Sequence, residues 1–170
     1  MKTLKLLSIL LIATLASCSS VRVNADYDKK AVFTNYKSYA YLKNGIDKAE
    51  ISDLDKKRIL YSIDEVMSAK GFVKSENPDV LISIFTKERE RVDIYNNMGF
   101  GWGWNPYWGM GYSNVTTSQE GSLFIDIIDA KTKELVWQGE GTGSLTKNTD
   151  KKDARIKEFV SKILEQYPPK

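Results

Sequence analysis

Two alternating runs separated by a short polar turn set the first limit on how this chain can fold. In Gly121–Asp129, Leu123, Ile125 and Ile127 fall on one side and Phe124, Asp126 and Ile128 on the other. Lys131-Thr132-Lys133-Glu134 follows, and Leu135-Val136-Trp137-Gln138 resumes the apolar pattern. Successive side chains of a strand point to opposite faces, so this spacing predicts a β-hairpin. A hairpin leaves no room for a crossover helix, which excludes a purely parallel sheet. Gly139, Gly141 and Gly143 continue the return strand, where missing side chains predict a bulge or a loose edge.

Two helices are equally legible. Ile156, Phe159, Val160, Ile163, Leu164 and Tyr167 recur as one helical face, ended by Pro168-Pro169. An earlier helix is punctuated at both ends: Ser52 and Asp55 resemble a capping box, and Gly71 stands where a C-terminal cap glycine belongs. Leu54, Ile59, Ile63, Val66 and Met67 supply its apolar stripe. Ser38–Leu42 reads as a short strand, and Asp79–Lys87 as another, with Val80, Ile82 and Ile84 on its stricter face. That alternation weakens over Lys87–Asp93, as at an exposed strand end. The order strand, helix, strand, long loop, hairpin, helix predicts an α+β fold. The expected form is a two-layer sandwich, a mainly antiparallel sheet with two helices packed on one face, built as a single domain over residues 31–170.

The first residues specify an address. Lys2 and Lys5 precede an apolar run from Leu6 to Leu15, about half the roughly 20 residues needed to cross a bilayer, so residues 1–17 read as an export signal. Leu15-Ala16-Ser17-Cys18 resembles a bacterial lipobox, which makes Cys18 the expected site of lipid attachment and the new N-terminus. It is the chain's one cysteine, so no intrachain disulfide competes for it. One acyl chain binds a membrane reversibly and two or more hold it, so the anchor needs no further apolar helix. Residues 18–30 are expected to be a lipidated N-terminus and short linker. Ser19 is not the aspartate that resembles an inner-membrane retention signal, and the expected address is the outer membrane, facing the periplasm. Without Lys2 and Lys5 the chain has 23 Lys+Arg against 22 Asp+Glu, a formal charge of +1 rather than the +3 of the whole sequence. Charges of both signs are interspersed, as in Lys87-Glu88-Arg89-Glu90-Arg91, which excludes a basic nucleic-acid surface.

Residues 98–112 depart from every regular pattern. Glycines alternate with rings there, and three of the chain's four tryptophans, Trp102, Trp104 and Trp108, lie in this stretch with Tyr107. Glycine weakens helix and strand alike, which predicts a long loop or irregular hairpin. Its rings have three possible uses: covering the domain's own core, contacting a protein or glycan, or sitting at lipid headgroup level. The segment lacks the Lys-Ser/Thr ending of a phosphate-binding loop, so a nucleotide site is rejected.

Histidine is absent and the cysteine is assigned to lipid, which removes Ser-His-Asp and Cys-His nucleophiles and the usual zinc ligands. Glu120, Asp126, Asp129 and Asp79 are the best carboxylate set for acid–base work, but Asp126 is expected on the outer strand face and Asp129 in a turn. The chain is therefore read as a non-enzyme, with no cofactor and no metal.

Val23…Asp26-Tyr27-Asp28, Phe33…Tyr36-Lys37-Ser38-Tyr39-Ala40-Tyr41-Leu42, Lys70-Gly71-Phe72, Pro78-Asp79-Val80, Gly121-Ser122-Leu123, Asp126-Ile127-Ile128-Asp129 and Leu135-Val136-Trp137-Gln138-Gly139 follow the lipobox. Together they resemble the domain-of-unknown-function 4136 lipoproteins of the Gram-negative envelope, common in Bacteroidota. The resemblance covers most of the chain and implies location and fold rather than activity. The expectation that follows is a lipid-anchored accessory protein that binds another envelope component through Trp102, Trp104, Tyr107 and Trp108. The alternative is a module that stacks peptidoglycan or polysaccharide sugars on the same rings, with Asn105 and Asn114 supplying hydrogen bonds.

Overall fold

The computed structural model describes residues 21–95, 114–144, 146 and 148–169. Six strands form one sheet: β1 (Arg22–Tyr27), β2 (Ser38–Tyr41), β3 (Val73–Lys74), β4 (Val80–Tyr95), β5 (Asn114–Asp129) and β6 (Leu135–Ser144), in the order β1-β6-β5-β4-β2-β3. Three helices accompany them, α1 (Lys43–Asp47), α2 (Asp53–Ala69) and α3 (Thr149–Leu164). The sheet is mixed. β1, β6, β5 and β4 run antiparallel, whereas β2 is parallel to β3 and β4 because a helical crossover separates them. The result is the α+β sandwich that the pattern predicts.

The core lies between α2, α3 and one face of the sheet. Register brings Ile82 opposite Ile127 and Ile84 opposite Ile125, and all four side chains are fully buried. Each such burial stabilises by about 1.5–3 kcal/mol relative to exposure. Ile59, Ile63 and Met67 of α2 and Phe159, Val160, Ile163 and Leu164 of α3 close over them. Leu54, assigned to the α2 stripe by spacing, is instead 63% exposed, since it shares the outward helix face of Lys57, Arg58 and Tyr61 rather than that of Ile59 and Ile63.

The caps are where the sequence places them. Ser52 Oγ accepts from the Asp55 amide at 3.1 Å. Gly71 takes φ +84°, the left-handed conformation that glycine adopts without steric cost. Its amide donates to Ser68 O and that of Phe72 to Met67 O, both at 2.9 Å, so the chain leaves α2 by a Schellman turn. Asp129 organises the β5–β6 turn: its carboxylate accepts from the Lys131 and Thr132 amides at 2.8 and 2.9 Å, and Lys133 takes φ 64°.

Three expectations need correction. Residues 22–27, assigned to a linker, are the edge strand β1, held to β6 from Arg22↔Thr142 to Tyr27↔Trp137 with Val23 and Ala25 packed on the core. Consequently Gly139, Gly141 and Gly143 are not a loose edge; β6 lies inside the sheet between β1 and β5. The two glycines nearest α3 let it sit close: a Cβ at Gly139 would lie 2.5 Å from Ile163 Cγ2, and one at Gly141 2.9 Å from Ile163 Cδ1. Finally, β4 does not end near Lys87. It continues to Tyr95, paired with β5 down to Tyr95↔Asn114.

Candidate functional site

The extra length of β4 and β5 forms an arm. β6 leaves β5 at the Glu120↔Ser144 pair, and β2 leaves β4 at Tyr41↔Ile82. Among the described strands, the six backbone pairs from Glu90↔Gln119 to Tyr95↔Asn114 have no third strand beside them. At about 3.4 Å per residue, this two-stranded ribbon extends roughly 20 Å past the sheet. Residues 96–113 connect its ends in sequence. Trp102, Trp104, Asn105, Tyr107 and Trp108 lie outside the described residues, as does Cys18.

Several features converge at the arm's base. β6 runs toward this end and β1 away from it, so the chain N-terminal to Arg22 also leaves here. The helices α2 and α3 pack side by side in parallel, with Asp55 near Lys152 and Glu65 near Lys157, so both N-termini point to the same end. Asn148 caps α3 by accepting from the Asp150 amide at 2.9 Å.

Between these helix starts and the sheet lies a cleft of about 370 Å³. Ile51, Ile59, Leu123, Ile156 and Phe159 supply its apolar lining. The sequence explains the opening. Val23, Gly141, Leu123 and Thr86 form one cross-strand row under the helices, and in the next row out Gly121 pairs with Gly143, two residues with no side chain to fill the space. A charged rim surrounds it. Lys152 Nζ donates to Asp55 Oδ2 and Arg58 Nη1 to Asp55 Oδ1, each at 2.8 Å, and Arg58 also pairs with Asp153. Burial raises the Asp55 carboxyl, but hydrogen bonds with Lys152, Ser52 and Arg58 outweigh it and hold the group below the usual carboxylate range. Arg155 donates to Ser144 O at 2.9 and 3.1 Å and to Glu158 at 2.7 Å, and its guanidinium stacks 4.8 Å from the Phe159 ring. An apolar floor flanked by the Asp55–Lys152 and Arg155–Glu158 ion pairs suits a ligand with a hydrocarbon body.

The sequence-selected carboxylates do not gather into one site: Asp79 and Asp129 are neighbours across the end of β4 and β5, where Val80 faces Asp129 and the Ala130 amide donates to Asp79 O at 2.9 Å, but each carboxylate is taken up by backbone amides. Asp79 Oδ2 accepts from the Lys37 and Ser38 amides and the Ser38 hydroxyl, which fixes the start of β2. Asp129 holds its turn and accepts from the Tyr36 hydroxyl at 2.9 Å. That phenol is pushed up to about 12 by burial and by the adjacent Asp129. Asp126 is on the sheet face opposite the core, where burial raises its pKa against the opposing pull of the 2.7 Å hydrogen bond from Gln138 Nε2. Glu120 accepts from Arg22 at the arm's base, nine residues along β5 from Asp129. At about 3.4 Å per residue these two ends are some 30 Å apart, too far for paired acid–base work. Among the described residues no group of three or more His, Cys, Asp or Glu side chains is placed to share a metal ion. No described helix is long and apolar enough to cross a membrane.

Neither the cleft nor the arm was visible as a motif. The cleft is assembled from four separate elements, and the only local hint was the pairing of glycine runs at 121 and 143.

Solved structures share the fold. The crystal structure of a PDZ domain protein from Parabacteroides distasonis is similar at 17% identity with a TM-score of 0.56, over 97% of this chain and 40% of that one. This chain thus spans about two fifths of that protein's length. The PelC dodecamer from Paraburkholderia phytofirmans is similar at 13% identity with a TM-score of 0.52, over 85% of this chain and 94% of that one. No curated protein matches. Residues 23–169 match the family described as Domain of unknown function (DUF4136), a span that opens inside β1 and closes after α3, and the chain belongs to that family.

Proposed function

We propose that this chain is a lipid-anchored, non-enzymatic accessory protein of the bacterial envelope, which presents the aromatic segment at the end of its arm to another envelope component. The observation that carries this reading is the arm itself. A two-stranded ribbon is marginally stable alone in water, and here β-branched pairs such as Val92↔Thr117 and Ile94↔Val115 lie in a ribbon that no third described strand supports. A ribbon of this kind is maintained for what it carries or touches, and what it carries is Trp102, Trp104, Tyr107 and Trp108. Trp and Tyr dominate interface energetics. The anchor supports the same reading, because Cys18 precedes Arg22 by four residues, a reach of about 14 Å, and Arg22 holds Glu120 at the arm's base. Arm and anchor leave from one end, and the contact is made at the anchoring membrane.

Photocrosslinking in intact cells, with a photoreactive residue at Trp104, tests this in wild type and in Cys18→Ala. The expected result is a discrete protein adduct that depends on Cys18. An adduct of twice the chain's mass makes the component a second copy, the PelC structure being a dodecamer of similar fold. Adducts to glycan alone transfer the reading to a peptidoglycan- or polysaccharide-binding module, and the absence of any adduct refutes both.

A further inference from the structure

We infer that the cleft at the arm's base holds one acyl chain, and that the chain it holds is one of those carried by the protein's own Cys18. This rests on the anchor reading above and adds where one part of the anchor goes.

The cleft's chemistry defines the ligand class. Ile51, Ile59, Leu123, Ile156 and Phe159 line its floor; of the charged residues around it, Asp55 and Lys152 pair with each other, Arg155 pairs with Glu158, and Lys87 turns its ammonium over the Phe85 and Phe124 rings, so a polar ligand would have to break one of these contacts or meet the exposed Glu88 carboxylate. A hydrocarbon displaces only water. At about 370 Å³, the cleft has somewhat more than twice the volume of an apolar cavity of about 150 Å³ that takes benzene. By that proportion it accommodates a dozen or so carbons, the greater part of one acyl chain but not two.

The topology selects the source. Arg22, Thr142, Ser122 and Lys87 form one row across β1, β6, β5 and β4, and the last two line the cleft. Adjacent strands are about 4.8 Å apart, so the start of β1 is about 10 Å from Ser122. Val21, immediately before it, is buried in the core cluster, so this residue lies on the helix side of the sheet, the side on which the cleft opens. Three residues separate Cys18 from Arg22, a reach of about 14 Å that covers this distance. A lipobox cysteine that is also N-acylated carries three acyl chains. Since two hold a protein at a membrane, one can leave the bilayer without loss of anchorage. Seating that chain in the cleft replaces a loose tether by a fixed attachment and sets the angle at which the arm meets the membrane.

The test uses the full chain, processed in its host and purified in detergent, with a diazirine side chain at Ile51 or at Thr146 on the cleft wall. After irradiation, the expected product is a crosslink joining residue 51 or 146 to the acylated Cys18 peptide, lost when Ile156→Trp fills the cleft. If that variant does not unfold cooperatively, Thr146→Trp with the probe at residue 51 takes its place. A phospholipid adduct in place of the Cys18 peptide overturns the assignment to the protein's own anchor. An acylated intact mass with no crosslink overturns occupancy altogether. An intact mass without acyl groups overturns the anchor reading and this inference with it, so the failures are distinct.

Discussion

Gly139→Ala and Gly141→Ala add the same methyl group to one strand two residues apart, and the structure orders their effects. Replacing a strand glycine by alanine removes backbone entropy from the unfolded chain and gains about 0.5–1 kcal/mol. At Gly139 the new Cβ meets Trp137 Cη2 at 2.3 Å and Ile163 Cγ2 at 2.5 Å. Neither can yield cheaply. Trp137 is 1% exposed and packs edge-on against Tyr167 with ring centroids 5.2 Å apart, while Cγ2 of a β-branched residue is fixed by the α3 backbone. Overpacking of this kind costs about 1–3 kcal/mol, so a net loss of about 1–2 kcal/mol is expected, which lowers the melting temperature of a domain this size by about 2–8 °C. At Gly141 the new Cβ meets Ile163 Cδ1 and Cγ1 at 2.9 Å; Cδ1 turns away about χ2, and Cγ1, held at the branch like Cγ2, has to give only a few tenths of an ångström. There the two effects nearly cancel, and stability stays within about 0.5 kcal/mol of wild type. Urea unfolding followed by tryptophan fluorescence, with equal m-values checked, measures both. Equal effects of the two substitutions, or a stabilised Gly139→Ala, would refute the claim that these glycines set the distance between α3 and the sheet.

Two further outcomes follow from buried polar groups. The Tyr167 hydroxyl is fully buried with no hydrogen-bond partner among the described residues, so Tyr167→Phe keeps the ring packing, removes an unsatisfied group and raises stability by about 1 kcal/mol; a loss in differential scanning calorimetry would show that the hydroxyl is satisfied in solution. Burial raises the Asp126 pKa, so the native state binds its proton more tightly than the unfolded chain does. Stability from this group is therefore full below the unfolded value near 4 and declines as pH rises through the native one. Asp126→Asn is expected to be more stable than wild type at pH 7 and to lose that advantage below about pH 4, with equal stability at both pH values as the contrary result.

What the sequence made legible was local. The caps at Ser52 and Gly71, the Asp129 turn and the α3 face each depend on neighbours within a few residues, and each is in the structure. What it hid depends on distant partners. β1 has only Val23 and Ala25 facing the core, so its strand character emerges only beside β6. The parallel pairing of β2 with β4 is a consequence of where α2 returns the chain, which no residue of Ser38–Tyr41 encodes. Charged residues over Lys87–Arg91 erased the alternation of β4 although the backbone pairing continues. At the candidate site the aromatic segment was conspicuous by composition, whereas the arm that bears it and the cleft at its base required the register of three strands.

The placement of β1 also bears on the order of events during synthesis. Its partners Trp137 to Thr142 lie more than a hundred residues later in the chain. At about 5–20 residues per second, β1 waits about 6–24 s for them to emerge, and closing so long a loop makes this among the last contacts to form. Through that interval the sheet lacks its first edge. A nascent chain that closes this pair only when its far end arrives keeps β1 without its partner strand until translation is almost complete, so a chain truncated before Trp137 has nothing for Val23 and Ala25 to dock beside.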